Sequence, residues 1–183
     1  MQLRKFALLL VPLVGLLLLG SCKKALGILD FDVNDTGTVQ LPATGPLPGA
    51  VLVLPGATLS STSTATFAAN NTTADYVQDA RLKRLVLTVT DPTAQNFDFL
   101  KSINIYISKD ATGTSKNLLA SLDAVPTGQT TLELKPSDNP VDGYLRNSSY
   151  ALFVEAELAQ PLRQNTTLRV DSRFSVRVQL PPR

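Results

Sequence analysis

Residues 149–158, SYALFVEAEL, and residues 167–180, TLRVDSRFSVRVQL, decide the fold. In the first, Leu152, Val154, Ala156 and Leu158 alternate with polar or aromatic positions. In the second, Leu168, Val170, Phe174 and Val176 alternate with Arg169, Asp171, Arg173, Ser175 and Arg177. A period of two means strands with one buried face, because successive side chains on a strand point to opposite sides. Both segments bury even-numbered positions, so pairing them as a hairpin restricts the register, since a one-residue slip would turn every apolar side chain outward. The preferred register places Glu155 opposite Arg169; a shift of two would set it against Asp171, a like-charge pair that costs stability.

Working outward, the same period recurs at 49–54, 58–67, 81–90, 102–108, 117–122 and 130–135. Turn sequences separate these runs, among them VTDPT, KDATGTS, VPTGQ and KPSDNP. Short helical turns are expected at ADYVQDA (74–80), behind Thr73 as a cap, and at VDGYLR (141–146). Strands at this spacing with little helix predict an all-β chain, a single immunoglobulin-like β-sandwich of about seven to eight antiparallel strands, with a closed barrel as the alternative. The sandwich is expected over 49–183. Residues 22–48, ending in LPATGPLPG, read as a tether, because proline at that density favours an extended spacer.

The first twenty-one residues have a basic start (Arg4, Lys5), an apolar run from Phe6 to Leu19 and the small residues Gly20 and Ser21. That is the pattern of a secretory signal peptide, and the run, interrupted by Pro12 and Gly15, is shorter than a bilayer span requires. Leu19, Gly20, Ser21 and Cys22 resemble the lipobox of bacterial lipoproteins. The resemblance implies cleavage before Cys22, a diacylglycerol on its thiol and an acyl chain on its new amine. Several acyl chains hold a protein to a bilayer where one holds it only marginally. In that pattern Lys23 is not the aspartate that retains such proteins at the inner membrane, so the outer membrane is expected, with the periplasmic or outer face undecided. Further along, NNTTADYVQDARLKRLVLTVTDP, NFDFLKSINIYIS and SSYALFVEAEL resemble a group of uncharacterised Bacteroidota-type bacterial lipoproteins. That resemblance implies a small β domain behind a lipid anchor and brings no activity with it.

Composition narrows the function. The chain has 17 basic and 15 acidic residues, and without Arg4 and Lys5 the counts are equal. A neutral domain lacks the basic footprint of a nucleic-acid binder. It contains no histidine and one cysteine. Ser-His-Asp and Cys-His catalysis, disulfides and the usual zinc, copper or haem ligand sets are thereby excluded, and no cofactor or metal is expected.

Four motifs invite sharper readings. LPATG matches a sortase sorting signal, but such a signal precedes a short hydrophobic tail, whereas the whole β-rich region follows here. DFDVNDTG spaces Asp30, Asp32 and Asn34 like an EF-hand loop, yet Asp35 and Leu41 stand where glycine and glutamate are required. An entry strand with Leu29, Phe31 and Val33 on one face is the simpler reading. Glu155 and Glu157 share a strand face about 7 Å apart, near the carboxylate spacing of inverting glycosidases, although a solvated charged face gives the same pattern. Arg169, Arg173 and Arg177 form a stripe on the last strand and are the candidate binding residues. Sugar platforms usually use tryptophan, which the chain lacks. The expectation is a lipid-anchored, non-catalytic envelope protein that is not an enzyme and contacts the membrane through Cys22 and an envelope protein or glycan through its domain. The alternative is a carboxylate-based hydrolase of envelope polysaccharide.

Overall fold

A computed structural model describes residues 27–44, 49 and 51–180. The expected signal peptide, Cys22 and Pro46 and Pro48 of the tether lie outside the described residues. The chain is all-β and forms a single antiparallel β-sandwich. Its strands are β1 (Gly27–Leu41), β2 (Val51–Val53), β3 (Ala57–Ser60), β4 (Val77–Asp91), β5 (Leu100–Ser108), β6 (Asn117–Leu122), β7 (Thr131–Pro136), β8 (Ser149–Leu158) and β9 (Thr166–Leu180). Two short helices, α1 (Ser63–Ala69) and α2 (Asp142–Leu145), and a 3₁₀ turn at Ala74–Tyr76 complete it.

One sheet runs β1-β9-β4-β7. The other runs from the β2 and β3 edge through β8 and β5 to β6. The sheets join along one side, where Ala120 pairs with Pro136 and Ser121 with Lys135. Across the interior, the Tyr150 ring of β8 meets Phe174 of β9 edge-on at 6.0 Å, within the range where aromatic pairs attract. Phe97, Phe99, Leu85, Ile105 and Leu134 are buried in the same core.

The alternation in β9 is as read: Leu168, Val170, Phe174, Val176 and Val178 are buried, and Arg169, Arg173 and Arg177 are exposed. The expected hairpin does not form, however. β8 pairs with β5, β2 and β3, while β9 lies between β1 and β4. Glu155 therefore faces Val53 and Asn104, and Arg169 faces Thr38 and Thr88. Burial of even positions in both strands is met equally well when they face one another across a core, and parity cannot separate the two arrangements. The 159–165 connection crosses between sheets, held by the Leu162 N–H donating to Thr44 Oγ1 at 2.9 Å and the Thr44 N–H donating to the Leu162 carbonyl at 2.8 Å.

β9 finds its partner in a segment expected to be tether. Residues 27–41 are no spacer: β1 pairs with β9 over its whole length, from Gly27 opposite Leu180 to Leu41 opposite Thr166. The sandwich thus includes Gly27–Leu41, ahead of the expected start at residue 49. Val33, Val39 and Leu41 point into the core, with Leu29 and Phe31 packed against it, as the entry-strand reading expected.

The strand expected at 58–67 is also shorter. It ends at Ser60, and α1 follows. Ser63 and Phe67, four apart, share the buried side of the helix, and the Phe67 ring packs edge-on to Phe31 at 5.8 Å. The turn expected at 74–80 is confined to Ala74–Tyr76, with no side-chain cap from Thr73, because Val77 already pairs with Val178. The turn expected at 141–146 is α2.

Candidate functional site

The arginine stripe lies on the outer face of the first sheet, where β1, β9 and β4 set their charged residues side by side. Arg177 Nε lies 2.9 Å from Asp30 Oδ1. Arg173 donates from Nε and Nη2 to Asp32 Oδ2, and Lys83 Nζ approaches the same oxygen at 3.6 Å. Arg169 Nε pairs with Asp171 Oδ2 at 2.8 Å, and Thr36 Oγ1 donates to the other oxygen at 2.9 Å. On β4, Arg81 pairs with Asp79 at 3.1 Å and Arg84 with Glu133 of β7 at 2.9 Å. The Arg84 guanidinium holds the Glu133 carboxyl below its ordinary range, first by hydrogen bonding. The three arginines predicted from sequence thus share one face, and each is matched by an aspartate.

Two of those aspartates, Asp30 and Asp32, come from the motif that resembled a calcium loop. They sit on a strand, with ion-pair partners, in place of a turn. Spacing in the sequence could suggest the acidic ladder, but its arginine partners lie more than 140 residues away and had no local signal. Two shallow depressions of about 360 and 310 Å³ open on this face. The larger is lined by Asp30, Asp32, Asp79, Lys83 and Arg177, and the smaller by Asn34, Thr36, Arg84, Asp171 and Arg173. Acids and bases alternate in both.

Glu155 and Glu157 lie on the outer face of the second sheet. Glu157 pairs with Lys101 at 2.8 Å, and Glu155 pairs with Lys116. The Lys116 ammonium also sits 4.7 Å from the Tyr106 ring centroid and 5.9 Å from that of Phe153, in cation–π range. Lys116 hydrogen bonding holds the Glu155 carboxyl below its usual range, and burial, with Glu155 beside it, pushes the Tyr106 phenol up. A glycosidase acid needs the opposite shift, upward, to carry a proton near neutral pH. Sequence spacing identified the glutamate pair but could not find Lys116, which arrives from β5's other neighbour, the loop leading into β6.

A third polar group lies between the sheets, and the sequence reading did not single it out. Asp35, on the inner face of β1, is 1% exposed. Its Oδ1 accepts from the Thr62 N–H at 2.7 Å and from Thr62 Oγ1 at 3.0 Å, while Oδ2 has no protein partner. Tyr150 and Ser172 hydroxyls sit 3.3 Å apart beside it, and Ser172 Oγ donates to the Asp35 carbonyl. Burial, then the Asp35 charge, pushes the Tyr150 phenol far up. This cluster fastens the start of α1 to β1. Among the described residues, no group of three or more acidic, cysteine or histidine side chains is placed to hold a metal ion, and no helix is long and apolar enough to cross a membrane.

No family model and no curated protein matches the chain. Among solved structures it is similar to the decameric BFDV capsid protein, at 11% identity and a TM-score of 0.43, over 84% of this chain and 99% of that one. It is also similar to Desmodium yellow mottle tymovirus at 11% identity and a TM-score of 0.28, covering 84% and 90% of the two chains. For turnip yellow mosaic virus the identity is 13% and the TM-score 0.26, over 84% and 96%. Likeness at this level carries no functional argument.

Proposed function

We propose that this protein is a lipid-anchored, non-catalytic module of the bacterial envelope, held at the outer membrane through Cys22 and acting by binding or structural contact. The observation that carries the reading is the run Leu19-Gly20-Ser21-Cys22 directly after an apolar stretch in a chain with no other cysteine and no histidine. Acyl chains on Cys22 supply a durable hold on a bilayer. Support also comes from the two outer faces. Glu155 and Glu157 each carry a lysine partner, Asp30, Asp32, Asp79 and Asp171 each carry a cationic one, and the Glu155 carboxyl is held low. Such faces present alternating charge to a polar partner, an envelope protein or a glycan, and Arg169, Arg173 and Arg177 are the residues with which to begin mapping it. The hydrolase reading has no comparable support.

Mass spectrometry of the N-terminal peptide of the membrane-extracted protein tests the reading. The expected species begins at Cys22 and carries a diacylglyceryl thioether and an acylated amine. A peptide with an unmodified Cys22 thiol would overturn it.

A further inference from the structure

β1 begins five residues after Cys22. Whatever conformation the intervening residues take, five residues span at most about 18 Å. If Cys22 is lipidated, as proposed above and as this inference requires, the sandwich is therefore held against the bilayer instead of trailing from a long spacer. The constraint also selects which end faces the lipid. β1, β4 and β9 each run fifteen residues, roughly 50 Å at strand rise, and only the end containing Gly27 lies within reach.

That end is built from Gly27 and Ile28 of β1, Gln179 and Leu180 of β9, Val77 of β4 and the 3₁₀ turn before it. It carries two large apolar side chains left in solvent, Ile28 at 59% exposure and Tyr76 at 36%. Ile28 stands opposite Gln179 and Val77 opposite Val178, so Ile28 and Tyr76 reach the same level on either side of β9. At the far end the loops after β4 and β8 turn Phe97, Phe99 and Leu162 into the core. The other exposed valines, Val51 and Val53, lie on β2 at the edge of the second sheet.

We propose that the Gly27 end of the sandwich rests on the lipid bilayer, with Ile28 at the boundary of headgroups and acyl chains and Tyr76 at headgroup level. Tyrosine suits that position because its ring is apolar and its hydroxyl wet. Asp75, exposed beside Tyr76, keeps the turn at the headgroups and out of the acyl interior. Asp30, one row above Ile28, is neutralised by Arg177. Lys23 and Lys24, between the anchor and β1, add attraction to anionic headgroups.

The test uses the full lipidated chain with Ile28→Cys or Thr127→Cys, the latter on an exposed far-end loop, each labelled with an environment-sensitive fluorophore. The proteins are reconstituted into phosphatidylethanolamine and phosphatidylglycerol vesicles, with or without doxyl-labelled acyl chains, and floated on a density gradient. The expected result is flotation of both, with a blue shift and strong doxyl quenching at position 28 and neither at 127. Flotation with the position-28 label as unquenched as that at 127 overturns the docking and leaves the anchor standing. Failure to float overturns the anchor and the docking with it. Tyr76→Cys repeats the measurement should labelling at 28 disturb β1.

Discussion

Gly37→Ala probes the least expected part of the fold, the inclusion of β1 in the sandwich. Gly37 pairs with Val170, and a methyl group built on it would lie 2.5 Å from Cδ2 and 2.6 Å from Cγ of Leu59. Leu59 belongs to β3 in the opposite sheet and is buried, so it cannot swing away without displacing its own neighbours. Overpacking of this kind costs about 1–3 kcal/mol, while the stiffer unfolded chain of an alanine variant returns about 0.4–1 kcal/mol. The net expectation is a loss of about 1–2 kcal/mol, or roughly 2–8 °C in Tm for a domain of this size. Leu59→Ala alone leaves a cavity and costs about 2–5 kcal/mol. In the double variant the new methyl occupies part of that cavity. The two losses should therefore fall short of additivity by about 1 kcal/mol or more, measured by urea titration on a soluble Cys22→Ser background. A neutral Gly37→Ala with strictly additive double-variant energies would refute the packing of β1 on β3, and with it the inclusion of β1 in the sandwich.

Asp35→Ala should cost about 2 kcal/mol, since the Thr62 N–H and hydroxyl lose their acceptor. Asp35→Asn keeps an acceptor oxygen and removes a buried charge whose second oxygen has no protein partner, so thermal melts should place it within about 1 kcal/mol of wild type; equal losses in both would refute the assigned bonds. Glu155→Gln should lose about 0.5–1 kcal/mol at neutral pH. Because Lys116 lowers the folded-state pKa of Glu155, this contribution is present above the unfolded carboxylate value of about 4.3 and disappears as pH falls through the lower folded value. The gap between variant and wild type should accordingly close on acidification below about pH 4, and a gap that widens there would contradict the pairing. Gly113→Ala should destabilise by about 1–3 kcal/mol in denaturant titration, because the site has φ of 67° and a methyl group there would meet Phe153 Cζ at 2.6 Å.

What the sequence discloses follows from where the information lies. The alternation in β8 and β9 is local, and it reads directly as strands with buried even faces. Their partners are not local: β9 pairs with a segment more than a hundred residues earlier. β1 itself resists reading because Asp35 and Gly37 occupy inward positions where period two expects apolar side chains. Their reasons are the Thr62 hydrogen bonds and the close approach of Leu59, both made by later parts of the chain. In α1 the alternation of small and hydroxyl residues before Phe67 mimics a strand, and the Phe31 contact of Phe67 and the Ser63 hydrogen bond to the Asn147 carbonyl, both made with distant parts of the chain, show which side is buried. The arginine stripe was legible as a face and the glutamates as a pair, but Asp30, Asp32 and Lys101 came from other strands and Lys116 from a loop, while Asp171, the partner of Arg169, lies on β9 itself.

Membrane fractionation of Cys22→Ser tests the central claim most directly. Wild-type protein should remain with the outer-membrane fraction through salt and carbonate washes, while Cys22→Ser should appear in the soluble fraction with an unchanged melting transition, because β1 to β9 are held by their pairing and packing on one another. A variant that stays membrane-bound through both washes would contradict the anchor at Cys22.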